Sequence, residues 1–347
     1  ANPPYGAWRD YEKRKILKRR FKGLYAKETY TLFLYRCVEL LKADGRLVFI
    51  IPDTFLNLHM HSKLREYLLK NTKIDEITIF PSSFFPGISF GYSKLCIISL
   101  QKCSSSKECL SNELVVRTGF KNAKNLIRPD GEKIYHLFQK DILENIDSAL
   151  FVSDDSNIAS IINNANTRIG DIADCVTGIY SGNDKEYLHV IDHNVKNGKK
   201  YKIIDHAKVT LTTPSLNGVD NKKCFVPIVK GGSKRFIKPN FWFLDWSKEA
   251  VSHYQTDKKA RFQNSGYYFK NGIGVPMVSS SRISGALLNK RLFDQSIVGI
   301  FPKNRNYILY LLAFFNSEIC NRLIRTINPS ANNSANYIKK IPFVKPD

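Results

Sequence analysis

The sequence feature that most constrains the fold is a nearly continuous apolar run, Arg46-Leu47-Val48-Phe49-Ile50-Ile51, which ends at Pro52. A strand with one face in water alternates polar and apolar residues, whereas a continuous run is typical of a central parallel strand buried on both faces. The run is far too short to span a membrane. A strand of this kind needs helices against its sheet, so the surrounding sequence should supply them.

The neighbouring segments alternate as this requirement predicts. The pattern indicates helices over 30–41 and 59–70, and further strands over 74–80 and 94–100. Ala43-Asp44-Gly45 is the expected end of the first helix. Its predicted apolar face consists of Phe33, Leu34, Cys37, Val38, Leu40 and Leu41. We therefore expect an α/β domain in which helices pack on a largely parallel sheet.

The length of 347 residues favours two domains. The regular pattern loosens after residue 104, and short segments separated by Gly, Asn and Pro follow residue 165, up to a final helix predicted over 307–325. The predicted organisation is an α/β domain over 1–125, a connecting segment over 126–165 and a mixed α/β domain over 166–347.

The charge balance is that of a protein that binds polyanions. Lysine plus arginine number 53 against 31 acidic residues, a formal net charge of +22. Charge alone does not separate DNA from RNA, from anionic lipid or from a role in solubility.

Seven cysteines without a Cys-x-x-Cys pair indicate a reducing, cytoplasmic compartment. His59 and His61 lack a second ligand pair at zinc-like spacing, so we interpret them as solvated residues at a helix start and predict no metal site.

The tetrapeptide Asn2-Pro3-Pro4-Tyr5 carries a resemblance to a known family. Its prolines fix φ and remove two N–H donors, so the loop is rigid and presents carbonyl oxygens. Residues 1–102 resemble the second half of a gamma-class N6-adenine DNA methyltransferase. Residues from about 166 onward resemble the TaqI-like specificity domain of type IIG restriction-modification enzymes. RNA and protein N-methyltransferases use a related tetrapeptide and are alternatives, although the large basic second domain favours DNA.

The resemblance implies a fold and a set of catalytic residues. The fold is the C-terminal part of a Rossmann-like methyltransferase sheet followed by a DNA-recognition domain. The Asn2 side chain and the Pro3 carbonyl would accept from the adenine amino group, Pro4 would stiffen the loop, and Tyr5 would stack on the flipped base. Phe85, within Phe84-Phe85-Pro86, would pack against that base, unless it is a core residue. The methyl donor would be S-adenosylmethionine.

Further landmarks of the family follow in the expected order. They are an inward Phe33 near the cofactor's adenine, which is equally interpretable as a core residue, the Leu40–Gly45 turn, Pro52 and a helix bearing Leu64-Arg65. In the second domain they are 176–185, 227–235, the helix over 311–325 and Lys340-Ile341-Pro342.

Basic residues in and near these segments are the candidate DNA contacts. Glycine lets a backbone approach DNA, and arginine can bond guanine O6 and N7 together, although a solvated basic loop is the alternative for each. The candidates are Lys185, Lys230, Lys234, Arg235 and Arg282, together with Arg19 and Arg20 from the basic cluster over 9–22.

The family's glycine-rich cofactor loop has no counterpart in the sequence, and neither does a nuclease site, since Pro129-Asp130 lacks a correctly spaced partner. We therefore expect a segment that binds S-adenosylmethionine weakly or not at all and is inactive alone. Its expected partners are double-stranded DNA and a second polypeptide carrying the cofactor-binding half, with no membrane. The alternative is a non-catalytic DNA-binding specificity module.

Overall fold

The computed structural model describes residues 1–6, 11–85, 94–128, 130–152, 156–210, 212–220, 222–231, 235–279, 282–328 and 331–344. The chain divides into two compact units, Ala1–Asp154 and Asp155–Asp347. This division falls inside 126–165, the segment predicted to connect two domains. No helix within the described ranges has the length and apolar character needed to cross a membrane.

The first unit contains one five-stranded sheet in the order β1-β3-β2-β4-β5. Its strands are β1 Arg46–Pro52, β2 Thr72–Pro81, β3 Lys94–Lys102, β4 Glu113–Thr118 and β5 Lys133–Phe138. Its α-helices are α1 Tyr11–Arg20, α2 Thr29–Leu40, α3 Ser62–Asn71, α4 Ser106–Leu110 and α5 Gln139–Glu144. Residues 133–144, predicted to lie in the connecting segment, thus supply a strand and a helix of this unit.

The prediction of a largely parallel sheet is wrong. Strand β3 is antiparallel to both β1 and β2, and β4 is antiparallel to β5, so among the described strands of the first unit only the β2–β4 pair is parallel. The prediction of a central strand buried on both faces is also wrong, because β1 stands at one end of the described strand order and Val48 is 48% exposed. An apolar run carries no information on the direction of a strand's neighbours. The fold is mixed α/β.

The core of this unit lies between the sheet and its helices. Helix α2 contributes Tyr30, Leu34 and Val38, which are fully buried and follow the i, i+4, i+8 spacing of one helix face. Phe33 and Leu40 point away from that face and are exposed, so the predicted apolar face was too broad.

Arg65 of α3 is buried in the first unit and donates to several backbone carbonyl oxygens. Its guanidinium reaches Phe55, Leu58 at 2.8 Å, Asp147 at 2.8 Å and Ser148 at 3.0 Å. One side chain therefore joins the segment after β1 to the end of the unit.

The second unit contains two sheets, β13-β9-β10-β7-β8 and β12-β11-β14-β6. Its strands are β6 Ala173–Thr177, β7 Leu188–Val190, β8 Lys202–Ile203, β9 Phe225–Val229, β10 Trp242–Asp245, β11 Ile273–Pro276, β12 Ala286–Leu287, β13 Leu292–Phe293 and β14 Ile297–Pro302. Its helices are α6 Ser156–Asn164, α7 Ile169–Ile172, α8 Asp184–Tyr187, α9 Lys248–Thr256, α10 Tyr307–Phe315, α11 Glu318–Ile327 and α12 Ala335–Ile338. Its core includes the fully buried Trp246, Tyr254 and Phe293.

The helix predicted over 307–325 is two helices, because Asn316 stands between α10 and α11. The Asn316 side chain donates 2.8 Å to the Gly285 carbonyl and accepts 3.2 Å from the Gly285 N–H. These two hydrogen bonds to a distant backbone segment compete with continuation of the helix past Asn316.

Candidate active site and nucleic-acid interface

The tetrapeptide leaves the edge of the first unit's sheet. The amino group of Ala1 donates to Val48 O at 2.6 Å, and Ile50 N donates to Ala1 O at 3.0 Å. Two bonds that skip one residue in this way form a parallel bridge to β1. The Asn2–Tyr5 loop therefore starts beside the carboxyl-terminal part of this strand.

The loop is tied down behind its first two residues. The Thr29 hydroxyl at the start of α2 lies 3.1 Å from the Pro4 carbonyl oxygen and 3.0 Å from that of Gly6, and Thr29 N donates to Gly6 at 3.1 Å. In contrast, no described residue bonds the Asn2 side chain or the Pro3 carbonyl. The exposed Asn2 side chain and the carbonyl of the buried Pro3, which are the two groups expected to meet a substrate amino group, thus have no hydrogen-bond partner within the described ranges.

Tyr5 is fixed at both ends of its ring. Its hydroxyl donates to Ile50 O at 2.8 Å, and its ring meets Tyr30 edge-on with centroids 6.4 Å apart. Burial raises the pKa of Tyr5 to about 12, with a smaller contribution from Cys96, so the hydroxyl remains protonated and keeps donating.

Phe85 lies in the same aromatic cluster as Tyr5. Both pack against the buried residues Phe80, Leu95 and Phe120, and the Phe80 and Phe85 centroids are 6.3 Å apart in a stacked arrangement. Phe85 is partly buried, which leaves part of its ring accessible. Phe84 packs there too, at 6.1 Å from Phe80, whereas Pro86 lies outside the described residues.

Asp53 is a residue that the sequence reasoning missed. It follows Pro52 at the carboxyl end of β1, and burial raises its pKa to about 6 despite the opposing charge of Lys94. The sequence signal that could have identified Asp53 is its place as an acidic residue directly after a predicted buried strand. Burial thus moves the pKa of this carboxyl group from its ordinary range towards neutral pH.

The remaining candidates of the first unit are exposed. The Phe33 ring on α2 is 45% exposed, so the alternative of a core phenylalanine is wrong. Arg19 and Arg20 lie exposed in the last turn of α1. Both arginines are therefore placed where a solvent-borne polyanion can reach them.

His61 differs from the solvated residue that the sequence predicted. It is buried, and its Nε2 atom has no hydrogen-bond partner among the described residues. Burial lowers the pKa of His61 to about 3, assisted by Arg65 and His59. The imidazole is neutral because the surrounding core does not solvate a cation.

In the second unit, two glycines explain why the segment 176–185 is built as it is. A side chain at Gly178 would overlap the carbonyl group of Phe293, and Gly182 has φ +80° and would bring a Cβ within 2.9 Å of Ala260 N. These close approaches admit glycine alone. They position α8, which begins at Asp184.

Lys230 is held between two carboxylates. Its ammonium group lies 2.7 Å from Asp184 Oδ2 and 3.1 Å from Asp294 Oδ2. Burial would lower the pKa of Lys230, but the two carboxylates outweigh it and the pKa is raised. The Ser181 hydroxyl donates to Asp184 Oδ1 at 2.7 Å, which completes the network. This arrangement favours a structural ion pair over a phosphate contact.

The other predicted DNA contacts divide into two groups. Lys185 and Arg235 are exposed. Arg282 instead donates to Asn316 O at 2.9 Å and pairs with Glu318 at 3.1 Å, at the junction of α10 and α11. Lys234 lies outside the described residues.

Comparison with known proteins finds a family match within the first unit. Residues 1–85 match the model of the Eco57I restriction-modification methylase family. Relatives of the chain include type II methyltransferases and adenine-specific methyltransferases. M.HindII of Haemophilus influenzae, a type II methyltransferase, is 23% identical over 92% of this chain and 68% of its own length. M.AccI of Acinetobacter calcoaceticus, also a type II methyltransferase, is 35% identical over 23% of this chain and 16% of its own.

A third relative, the adenine-specific methyltransferase BrxX of Escherichia coli, is 30% identical over 40% of this chain and 12% of its own length. The chain thus spans between 12% and 68% of the length of these three relatives.

Two solved structures resemble the chain over nearly its full length. One is the Type IIL restriction-modification enzyme MmeI in complex with DNA, with 12% identity, a TM-score of 0.54, and coverage of 99% of this chain and 44% of that one. The other is a nuclease-deletion mutant of the Type ISP restriction-modification enzyme LlaGI in complex with a DNA substrate mimic. It is 10% identical, has a TM-score of 0.54, and the match covers 99% of this chain and 39% of that one. At these identities the likeness is one of fold.

Proposed function

We propose that this chain takes part in site-specific methylation of adenine N6 in double-stranded DNA, as part of a restriction-modification system. The observation that carries the proposal is a pair of acceptors, the Asn2 side chain and the Pro3 carbonyl, that no described residue bonds, in a loop whose Pro4 and Gly6 carbonyls are bonded by Thr29. The match of residues 1–85 to a restriction-modification methylase family supports the same reaction class.

The chemistry of adenine explains why two acceptors are needed. The N6 lone pair is delocalised into the ring and lies inside the stacked duplex, so the base must leave the helix before it reacts. Asn2 Oδ1 and Pro3 O would accept hydrogen bonds from the two hydrogens of the N6 amino group. These bonds would localise the lone pair on N6. Tyr5 and Phe85, which share one aromatic cluster, would hold the faces of the extruded base. Positioning then supplies most of the rate.

The cofactor of the proposed reaction is S-adenosylmethionine, which supplies an electrophilic methyl group when bound. Phe33 fits a role in holding it, because an exposed ring on α2 can stack on an adenine, and α2 is the helix that begins at the Thr29 anchor of the catalytic loop. In the proposed reaction, a second polypeptide would supply the glycine-rich loop with which the family binds this cofactor.

The proposed partner is double-stranded DNA. The net charge of +22 supports it, as do the exposed Lys185, Arg235, Arg19 and Arg20. Lys234 stays in the proposal on sequence grounds alone. We assign Lys230 and Arg282 to the architecture of the second unit, since each is bonded internally.

The test measures transfer of labelled methyl groups from S-adenosylmethionine to genomic DNA. It uses the chain alone and the chain mixed with a polypeptide that carries a glycine-rich cofactor loop. Asn2→Leu keeps the size of the side chain but removes the acceptor, whereas Asn2→Asp keeps an oxygen. We expect Asn2→Leu to lose about a hundredfold in rate, the scale for one pre-organised hydrogen bond, and Asn2→Asp to lose less.

Two outcomes count against the proposal. Equal rates for the parent and Asn2→Leu would remove the acceptor role. No label in DNA from any combination, together with retained DNA binding, would favour the non-catalytic specificity module.

A further inference from the structure

We propose that the segment Arg235–Asn240, here called the ridge, inserts the apolar side chains of Phe236 and Ile237 at a base step of double-stranded DNA, while cationic clefts on either side of it bind phosphates. The inference rests on the proposed function in one respect, that the partner of the second unit is DNA. It adds a mode of recognition that hydrogen-bonding arginines and lysines do not provide.

The tip of the ridge exposes two consecutive apolar side chains. Phe236 is 49% exposed and Ile237 is 71% exposed, directly after the exposed Arg235. Single exposed apolar residues are common on protein surfaces, so exposure by itself indicates little. The backbone conformation of the ridge is a second feature that sets these two residues apart.

Phe236 is held in a conformation that bulky residues rarely adopt. Its φ is +62°, in the left-handed region. Phe236 N donates to Gly285 O at 2.8 Å, and Leu287 N donates to Phe236 O at 2.8 Å. These two bonds join the ridge to β12 and hold the strained residue in place, with half of its ring in solvent.

Arg291 and Lys238 fix the base of the ridge. Arg291 Nη1 donates to Lys238 O at 2.7 Å and to Asn240 Oδ1 at 2.9 Å, and the Lys238 ammonium donates to Gly231 O. Burial, reinforced by Arg291, lowers the pKa of Lys238 to about 8. The tip is thus pre-organised, which reduces the entropy lost when a partner is bound.

Two clefts flank the ridge and share Lys238 and Pro239 in their walls. The first has a volume of about 520 Å³ and includes Ile237, Lys290 and Arg291. Its described lining contains no acidic residue.

The second cleft has a volume of about 750 Å³ and contains Lys196 and Lys200, with Asp192 as the acidic residue of its described lining. Lys196, Lys200 and Lys290 are exposed. An apolar tip between two cationic walls matches a stack of bases between two phosphate backbones. A second copy of this chain would bring the same cations and be repelled.

The experiment compares full-length variants for binding to a random-sequence duplex pool, followed by fluorescence anisotropy over a range of salt concentrations. The double variant Phe236→Ala/Ile237→Ala removes the tip. Leu309→Ala is the matched control, because Leu309 on α10 is also 71% exposed. Lys290→Ala and Lys200→Ala test the cleft walls, and thermal unfolding verifies that each variant is folded.

We expect the double variant to bind roughly tenfold more weakly, which corresponds to about 1.4 kcal/mol, with an unchanged slope of log K against log salt. Each lysine variant should instead reduce that slope by about one, as the loss of one phosphate contact does. Leu309→Ala should bind as the parent does.

Three results would overturn the inference. A folded double variant that binds like Leu309→Ala would show that the tip does not meet DNA, even though the proposed DNA partner survives. Loss of self-association in sedimentation, without any loss of DNA affinity, would assign the tip to an interface between copies. A parent that does not bind DNA would overturn the proposed function itself.

Discussion

The hydroxyl of Thr29 lies 3.1 Å from the carbonyl oxygen of Pro4, so the first residue of α2 is bonded to the Asn2–Tyr5 loop. Thr29→Val removes this bond at nearly constant volume. We expect the methyl-transfer rate to fall about tenfold because the loop loses its positioning. Thr31→Val is the control, since the Thr31 hydroxyl donates to Glu28 O at 2.7 Å in the same turn without reaching the loop. A similar rate loss in both variants would indicate a general effect on α2.

Arg65 should be among the residues on which the first unit's stability depends most. Arg65→Met would leave at least three buried or partly buried carbonyl oxygens without a donor. Each unsatisfied group costs about 1–3 kcal/mol, so we expect the free energy of unfolding to fall by roughly 3 kcal/mol or more. Urea unfolding measures this loss. Arg36→Met, at an exposed ion pair with Glu39, should change it by less than about 1 kcal/mol.

The sequence predicted the elements of the first unit well because their signals are local. The strand over 46–51 is observed as Arg46–Pro52, and the helix over 30–41 as Thr29–Leu40. Strand direction was not predictable, because β3 pairs with β1 and β2 across many residues of intervening chain. The same reason explains the missed break at Asn316, whose side chain is bonded to the distant Gly285 as well as to Leu312 of its own helix.

The candidate site was predictable only where the signal was a short motif. Asn2 to Tyr5 lie in one loop, which Thr29 bonds at the Pro4 and Gly6 carbonyls. The position of Lys230 on a glycine-rich loop predicted a DNA contact. Asp184 and Asp294, which neutralise its charge, lie 46 and 64 residues away in the sequence. A sequence pattern does not report such long-range pairs. His61 was misjudged for a similar reason, since the core that buries it comes from other segments.

The buried His61 predicts how stability depends on pH. Its pKa of about 3 in the folded chain lies below its ordinary value of 6.5, so the unfolded chain binds the extra proton first. Stability is therefore fully present above pH 6.5 and is lost as the pH falls, by up to about 1.4 kcal/mol per pH unit. His61→Leu should flatten this dependence in thermal unfolding, whereas His136→Leu, at a side chain that is 60% exposed, should not.

Protonation of Asp53 changes the stability of the folded chain in the direction opposite to protonation of His61. The effects of the two groups can therefore be distinguished by experiment. Its pKa of about 6 exceeds the ordinary 3.8, so the folded chain binds the proton first and stability rises as the pH falls through 6. Asp53→Asn should make the loss of stability between pH 6 and 4 steeper. An identical pH profile for the parent, His61→Leu and Asp53→Asn would contradict both assignments.

Lys230 and Lys185 form a matched pair that separates architecture from DNA contact. Lys230→Met would leave Asp184 and Asp294 without their cation, so we expect the free energy of unfolding to fall by roughly 3 kcal/mol, as when one partner of a buried ion pair is removed. Lys185→Met, at an exposed position, should leave unfolding unchanged. In DNA binding we expect the reverse: Lys185→Met reduces the slope of log K against log salt by about one, and folded Lys230→Met keeps it. A stable Lys230→Met variant with a reduced slope would return Lys230 to the DNA interface.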